Sequence, residues 1–325
     1  MAATIEEQLA IYLTDAHAIE LQALVQVKRA VEIAGDPALA DAFAKHIEET
    51  ERHERFVRGR LEALSWAPAP HKDIAGKATG IGFALFARFQ PDTPGKLAAH
   101  AYSYEHMELA AYDLLGRVAE RADDSETALM AQMIERDERT MAERIEGLFD
   151  EAVDASLREL GAEQKLDQQL DKYLADAHAI EQQAIQLLKK AAKIAGVKDL
   201  AAAYEEHLDE TEKHKELLER RLNERDSSPS RLKDSALRLG ALNWGVFFQA
   251  QVDTPAKLAG FTYAFEHLEI AAYELLARVA ARAGDEQTIS AARQILLQER
   301  EAAGRIHSLF DYALDASLDA AGVTA

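Results

Sequence analysis

Apolar residues recur along most of the chain at steps of three and four, the spacing of one helix face, and not at the step of two that marks a strand. In the first half, Leu9, Leu13, Ala16, Leu24, Val27 and Val31 fall within an arc of roughly 80° on a wheel of 100° per residue. They predict a helix from about Ile5 to Ile33 that stops at Gly35. Asp36-Pro37 then caps and starts a second helix, to about Leu64, with Leu39, Phe43, Thr50, Val57, Leu61 and Leu64 turned inward. Thr93-Pro94 opens a third helix, which ends near Arg121 and faces inward with Leu97, Ala101, Tyr104, Ala111, Tyr112 and Leu115. After a turn at Asp123-Asp124-Ser125 a fourth helix continues to about Glu159, its core marked by Met130, Ile134, Met141, Ile145 and Leu148. Between the second and third helices lies a stretch holding Pro68, Pro70, Gly76, Gly80, Gly82 and Pro91. Within it residues 81–87, and 241–248 in the second half of the chain, predict a short helix.

The pattern is written twice. Asp15-Ala-His-Ala-Ile-Glu20 recurs as Asp176-Ala-His-Ala-Ile-Glu181, a shift of 161 (176 − 15). The same shift carries His46–His53 onto His207–His214 and Glu105–Tyr112 onto Glu266–Tyr273. A constant offset means that no net insertion separates the copies, and the polar residues around Gly161 read as the joint. Residues 1–160 and 161–325 are therefore the expected domains. Short, long, short is the order of connections in each copy. Short turns force antiparallel neighbours, and a long middle segment can set the third helix parallel to the second. The expected fold is all-α: two tandem ferritin-like four-helix bundles, up-down-down-up, with a long crossover between helices 2 and 3.

Composition sharpens this. No proline falls between residues 95 and 228 or after 255, as long helices require. Lys and Arg number 37 against 57 Asp and Glu, a net charge of −20 that repels phosphate backbones, so no nucleic-acid partner is expected. The longest apolar run, Ile81 to Ala87, contains Gly82 and precedes Arg88, far short of a membrane span, and the N-terminus lacks the basic start and apolar core of a signal peptide. A cytoplasmic protein without a membrane partner is expected. With no cysteine, disulfides, thiolate metal sites and cysteine nucleophiles are excluded, so any metal must be held by carboxylate and imidazole.

Charged residues sit inside the apolar stripes. Glu20 lies in the middle of the helix-1 arc and Glu108 at the centre of the helix-3 face; Glu138 lies in the helix-4 arc, and His46 and His53 are among the inner positions of helix 2. Glu49 lies at the edge of that stripe, on the His53 side. The second copy repeats the set as Glu181, His207, Glu210, His214, Glu269 and Glu299. Burying one unpaired carboxylate costs several kcal/mol or forces it to protonate. Carboxylates from four helices with imidazoles beside them call for a cation, and a dinuclear iron or manganese centre supplies about four positive charges to hard oxygen and imidazole donors. The expected ligands are Glu20, Glu49, His53, Glu108 and Glu138, with Glu181, Glu210, His214, Glu269 and Glu299 in the second copy. His17 reads as a packing or supporting residue. His106 faces away from the core and reads as a surface or inter-domain contact, and Glu105 is either an extra ligand or a solvated neighbour.

These motifs resemble those of the bacterial YciE/YciF group of ferritin-like proteins, a ferroxidase family of stress-related function. The likeness is carried by Thr14-Asp15 ahead of Glu20, His46-Ile-Glu-Glu-Thr50, Glu105-His-Met-Glu-Leu-Ala-Ala-Tyr112 and Asp137-Glu138-Arg139. It covers most of each repeat and implies a di-iron bundle with Glu20, Glu49, Glu108 and Glu138 as ligands. The likeness departs where that group often has glutamine in place of His53, in the Gly- and Phe-containing crossover, and in being written twice in one chain. Helix 4 also lacks the second Glu-X-X-His of typical ferritins, with Met141 three residues after Glu138. The duplication suggests an intramolecular pseudo-dimer, with Ile11 and Val25 on helix 1 available for contact between bundles; a homo-oligomer stays open. Two functions follow. In one, each bundle binds two metals and oxidises Fe(II) with oxygen or peroxide, a manganese catalase-type site being a variant. In the other, a metal-free helical scaffold keeps the fold alone.

Overall fold

A computed structural model describes residues 4–66, 93–160, 164–227 and 254–323. Among them lie ten helices: α1 (Ile5–Ile33), α2 (Pro37–Ala63), α3 (Thr93–Arg121), α4 (Ser125–Glu146), α5 (Phe149–Leu160), α6 (Gln164–Ile194), α7 (Lys198–Glu224), α8 (Thr254–Ala283), α9 (Glu286–Ser308) and α10 (Phe310–Ala321). The short helices expected over 81–87 and 241–248 lie outside the described residues.

Local chemistry sets the helix ends. Thr4 Oγ1 accepts from the Glu7 amide at 3.2 Å and Glu7 returns the bond to the Thr4 amide at 3.0 Å, a capping box that starts α1. Gly35, at φ 65°, turns the chain after α1, and Asp36 accepts from the Ala38 amide at 2.9 Å while Pro37 takes the first helical position of α2. Asp124 caps α4 through the Thr127 amide at 3.0 Å and also receives Arg60 from the end of α2, at 2.8 and 3.0 Å. Arg221 and Asp285 repeat that clamp in the second copy at 3.0 Å.

The fourth helix of each copy departs from expectation. It breaks at Gly147-Leu148, where the Leu148 amide bonds to the Ile145 carbonyl three residues back, and again at Leu309. The tightened turn lets α5 run along α3, where Ser156 Oγ accepts from the Gly95 amide at 2.9 Å; Ser317 and the Ala256 amide repeat this contact. Phe149 of α5 packs edge-on against Tyr102 of α3, ring centroids 5.6 Å apart. The face of α3 that the wheel assigns to solvent is buried at Tyr102 and His106. His106 is accordingly not at the surface: it stacks on Tyr102 at 4.4 Å and pairs through Nδ1 with the Tyr102 carbonyl at 2.8 Å.

The chain divides into two units, Met1–Glu159 with Ala321–Ala325, and Leu160–Ala320. In the first, α1 packs on α2 and α3, and α4 packs on α3 and α2; in the second, α6 packs on α7 and α8, and α9 on α8 and α7. Each is a helical bundle whose inner faces meet in an apolar interior. Leu13, Leu39, Phe43, Leu61, Leu115, Ile134 and Met141 are all but completely enclosed in the first.

One glycine tests this packing. Gly196 turns the chain after α6 at φ 71°, and a Cβ there would stand 2.7 Å from Pro255 Cγ; Gly284, at φ 69°, has open space around it. Gly196→Ala and Gly284→Ala share the left-handed penalty of about 1–2 kcal/mol. The Gly196 variant is expected to lose the more on thermal unfolding, and equal losses would mean that the Pro255 contact does not matter.

Candidate metal centre

Six side chains from four helices converge in the interior of the first unit: Glu20 of α1, His46 and His53 of α2, Glu105 and Glu108 of α3, and Glu138 of α4. Their spacing along each helix explains the convergence. His46 and His53 stand seven residues apart, two turns along one face, and Glu105 and Glu108 stand three apart. His46, Glu105, Glu108 and Glu138 form one group, and Glu20, His53 and Glu138 another; within each group one donor atom per residue lies within 4.8 Å of the others. Glu138 belongs to both. Its Oε1 is 2.7 Å from His53 Nδ1, and its Oε2 is 3.4 Å from His46 Nε2. His46 Nε2 is 3.3 Å from Glu105 Oε2, and His53 Nδ1 is 3.9 Å from Glu20 Oε1. The second unit repeats both groups, with Glu299 shared between His207, Glu266 and Glu269 on one side and Glu181 and His214 on the other.

The sequence places Glu20, His53, Glu108 and Glu138 at this centre, and Glu181, His214, Glu269 and Glu299 at the other. Glu49 and Glu210, expected as ligands, stand outside both groups. Glu49 keeps 24% of its side chain exposed and bonds to His46 Nδ1 at 3.0 Å; Glu210 does the same with His207 at 3.1 Å. The reason is angular: Glu49 precedes the inward Thr50 by one residue, a step of 100° that turns its carboxylate to the back of the imidazole. His46, whose role the sequence left open, takes the inward place, and so does Glu105, fully enclosed beside it. The seven-residue spacing of the two histidines is the signal that identifies the pair. His17 lies away from the centre and bonds to Glu54 at 3.2 Å.

Each inward imidazole is fixed from behind by an acceptor. A carboxylate only accepts, so the ring nitrogen facing it carries the hydrogen. With His46 Nδ1–H on Glu49 and His53 Nε2–H on Asp137 at 3.1 Å, it is Nε2 of His46 and Nδ1 of His53 that face inward, and each would offer a lone pair to a metal once its proton has left. Tyr112 donates to Glu20, and Tyr273 to Glu181.

Most of the inward atoms have no hydrogen-bond partner: Glu20 Oε2, His46 Nε2, His53 Nδ1, Glu105 Oε2 and both oxygens of Glu108 and of Glu138. Buried polar atoms are rarely left so. Here they crowd together without the alignment of hydrogen bonds. Hard oxygen and imidazole donors so arranged fit divalent cations of the iron and manganese type.

Charge in the metal-free centre is balanced by protons. Burial pushes Glu20 up to about 8, with Glu138 adding and His53 opposing. Burial takes Glu105 up to about 7, restrained by His46. Glu108 is driven well above the carboxylate range by burial and by Glu138, Glu20 and Glu105. Glu138 moves the other way, because His46 and His53 together outweigh its burial. Burial also acts to lower both histidines, yet Glu105 and Glu138 hold His46 well above its ordinary value, and Glu138 with Glu20 holds His53 above it. In the second unit Glu266 rises to about 7 by burial, and Glu299 falls to about 2 as His207 and His214 overcome burial.

The family model "Domain of unknown function (DUF892)" matches the chain twice, over residues 4–158 and 165–318. The chain belongs to that family, which is of ferritin-like type, and carries two copies of its domain in tandem. No solved structure matched the chain. Among the described residues no helix is long and apolar enough to cross a membrane.

Proposed function

We propose that each unit is a ferritin-like four-helix bundle of the YciE/YciF kind that holds a pair of metal ions, iron in the first place with manganese as the variant. Its activity is that of a ferroxidase or an oxygen- or peroxide-reducing stress protein. The observation that carries this reading is the glutamate shared by two donor groups, Glu138 in one unit and Glu299 in the other. A carboxylate whose two oxygens face different donor groups, as Oε1 of Glu138 faces His53 and Oε2 faces His46, would serve two ions at once. The pairing of α1 with α2 and α3, and of α4 with the same two helices, supports the bundle, because it closes a ring of four.

The residues present match the charge of such a pair. Four carboxylates, Glu20, Glu105, Glu108 and Glu138, neutralise two divalent ions, and His46 and His53 add one neutral nitrogen to each group. The familiar plan for such centres puts a Glu-X-X-His on each of two helices; here both histidines lie on α2 and the paired glutamates on α3. Glu49 and Asp137 keep the imidazole lone pairs aimed inward, and Tyr112 orients Glu20. Redox-active ions bound there supply the electrons and the open coordination positions for reducing oxygen or peroxide.

Anaerobic titration of the metal-free chain with Fe(II), and separately with Mn(II), tests the reading. About four ions per chain, two per repeat, are expected, followed by Fe(II) oxidation faster than in buffer when oxygen is admitted. Binding is expected to tighten as pH rises, because the protons on Glu20, Glu108 and the imidazoles must leave. The competing reading is a metal-free scaffold, and the protonated imidazoles beside Glu105 and Glu138 give it a workable charge balance. Metal content at background throughout the titration decides for the scaffold.

A further inference from the structure

The two centres share every inward ligand, but the group behind one of their imidazoles differs in charge. His46 and His207 are both backed by glutamate, Glu49 and Glu210. His53 is backed by a carboxylate, Asp137 Oδ2 at 3.1 Å, whereas His214 is backed by an amide, Gln298 Oε1 at 3.0 Å. Asp137 and Gln298 are the same position of the repeat, 161 residues apart (298 − 137).

We infer that Asp137 and Gln298 make the two metal centres unequal, with the position built on Glu20, His53 and Glu138 binding a divalent ion more tightly than the one built on Glu181, His214 and Glu299. The inference rests on the dinuclear reading above. A carboxylate accepting the far N–H of a ligating imidazole puts negative charge behind the ring and raises the basicity of the nitrogen that faces the metal; a neutral amide orients the ring without that charge. Arg52 shares the same oxygen of Asp137 at 2.7 Å, but its side chain is 41% exposed and solvent screens it, while the His53 ring is enclosed. Lys213 stands at the Arg52 position of the second repeat. Removing such an outer partner typically weakens metal binding 10–100-fold. Gln298 keeps the hydrogen bond and loses only the charge, so a difference of about ten-fold is expected.

The test uses the full chain with one centre disabled at a time, Glu299→Ala leaving the first and Glu138→Ala the second. Each is titrated with Co(II) against a competing chelator and followed by the visible ligand-field absorption. The first centre is expected to bind about ten-fold more tightly at its His53 position, with Asp137→Gln lowering that affinity to the level of the second centre. Gln298→Asp is expected to raise the second centre by a similar factor and to shift its absorption towards that of the first. A merely structural role for Asp137 would not transfer tighter binding to the other repeat. Equal affinities in the two centres, unmoved by the exchanges while Co(II) still binds, overturn the inference and leave the dinuclear reading standing. Absence of Co(II) binding in both centres of the unmodified chain overturns the dinuclear reading, and the inference with it.

Discussion

Glu138→Ala is expected to empty the first repeat of both its metal ions, taking the content of the loaded chain from about four ions to about two. The size of the effect follows from position. Each of the other inward residues of this repeat belongs to one donor group, and Glu138 belongs to both, with one oxygen 2.7 Å from His53 Nδ1 and the other 3.4 Å from His46 Nε2. Glu20→Ala and Glu105→Ala each touch a single group, so each is expected to weaken one ion more than the other. The second repeat is built from its own Glu181, His207, His214, Glu266, Glu269 and Glu299, and its binding is expected to persist. Glu138→Ala also leaves two raised imidazoles without the one carboxylate that both face, and breaking such a buried pair costs about 3–5 kcal/mol. Glu138→Gln keeps the shape and separates loss of ligation from loss of fold, with circular dichroism recorded beside elemental analysis. A Glu138→Ala chain that is folded and still carries about four ions would remove the shared carboxylate from the account.

The helices and their repeat were legible in the sequence because both are local properties. Gly35, Asp36-Pro37, Thr93-Pro94 and Asp124 mark helix ends by chemistry that needs no distant partner, and α1, α2 and α3 begin and end within a residue of where those signals put them. The break at Gly147-Leu148 was not legible, since the apolar stripe runs on through Leu148 and the partners of α5, Gly95 and Tyr102 of α3, lie far away in the sequence. His106 is enclosed although its own helix turns it away from the stripe, stacked on Tyr102. At the centre, Glu20, Glu108 and Glu138 could be read because each lies amid apolar residues at helical spacing. Glu49 could not be told from a ligand, because a residue at the edge of a stripe can face either the centre or the back of its neighbour. What decides is the neighbour: Thr50 and His46 fill the inner line of α2, and Glu49 closes on the His46 ring from outside. That Asp137 and Gln298 back the imidazoles was not legible for a further reason. Both are half-exposed polar residues on an ordinary helix face, and only the His53 and His214 rings give them meaning.

Glu108→Leu is expected to act on stability in the opposite direction from Glu138→Ala. Both carboxylates are fully enclosed, but Glu138 is held ionised against two imidazoles, whereas burial and the neighbouring Glu138, Glu20 and Glu105 drive Glu108 well above 4.5. Replacing a poorly satisfied buried ionisable group with a well-packed apolar one of similar size stabilises by about 1–4 kcal/mol, and each kcal/mol raises the melting temperature of a unit this size by roughly 2–4 °C. The gain has a definite pH dependence. Below 4.5 Glu108 is protonated in both the folded and the unfolded chain and places no penalty on folding. As pH rises above that value the unfolded chain ionises first, so the native protein loses stability until its own raised pKa is passed. The melting-temperature difference between Glu108→Leu and the unmodified metal-free chain is therefore expected to be smallest near pH 4 and to widen towards neutral pH. Metal should reverse the order, since the variant loses a ligand from the group of His46, Glu105 and Glu138, and with it the stabilisation that a bound ion gives the native state. A variant that melts lower than the unmodified chain without metal at every pH would mean that Glu108 has a structural partner. The two melting orders together separate the roles. At neutral pH a metal-free scaffold gains from exchanging Glu108 for leucine whether or not metal is added, whereas a chain that binds cations loses by it when metal is present.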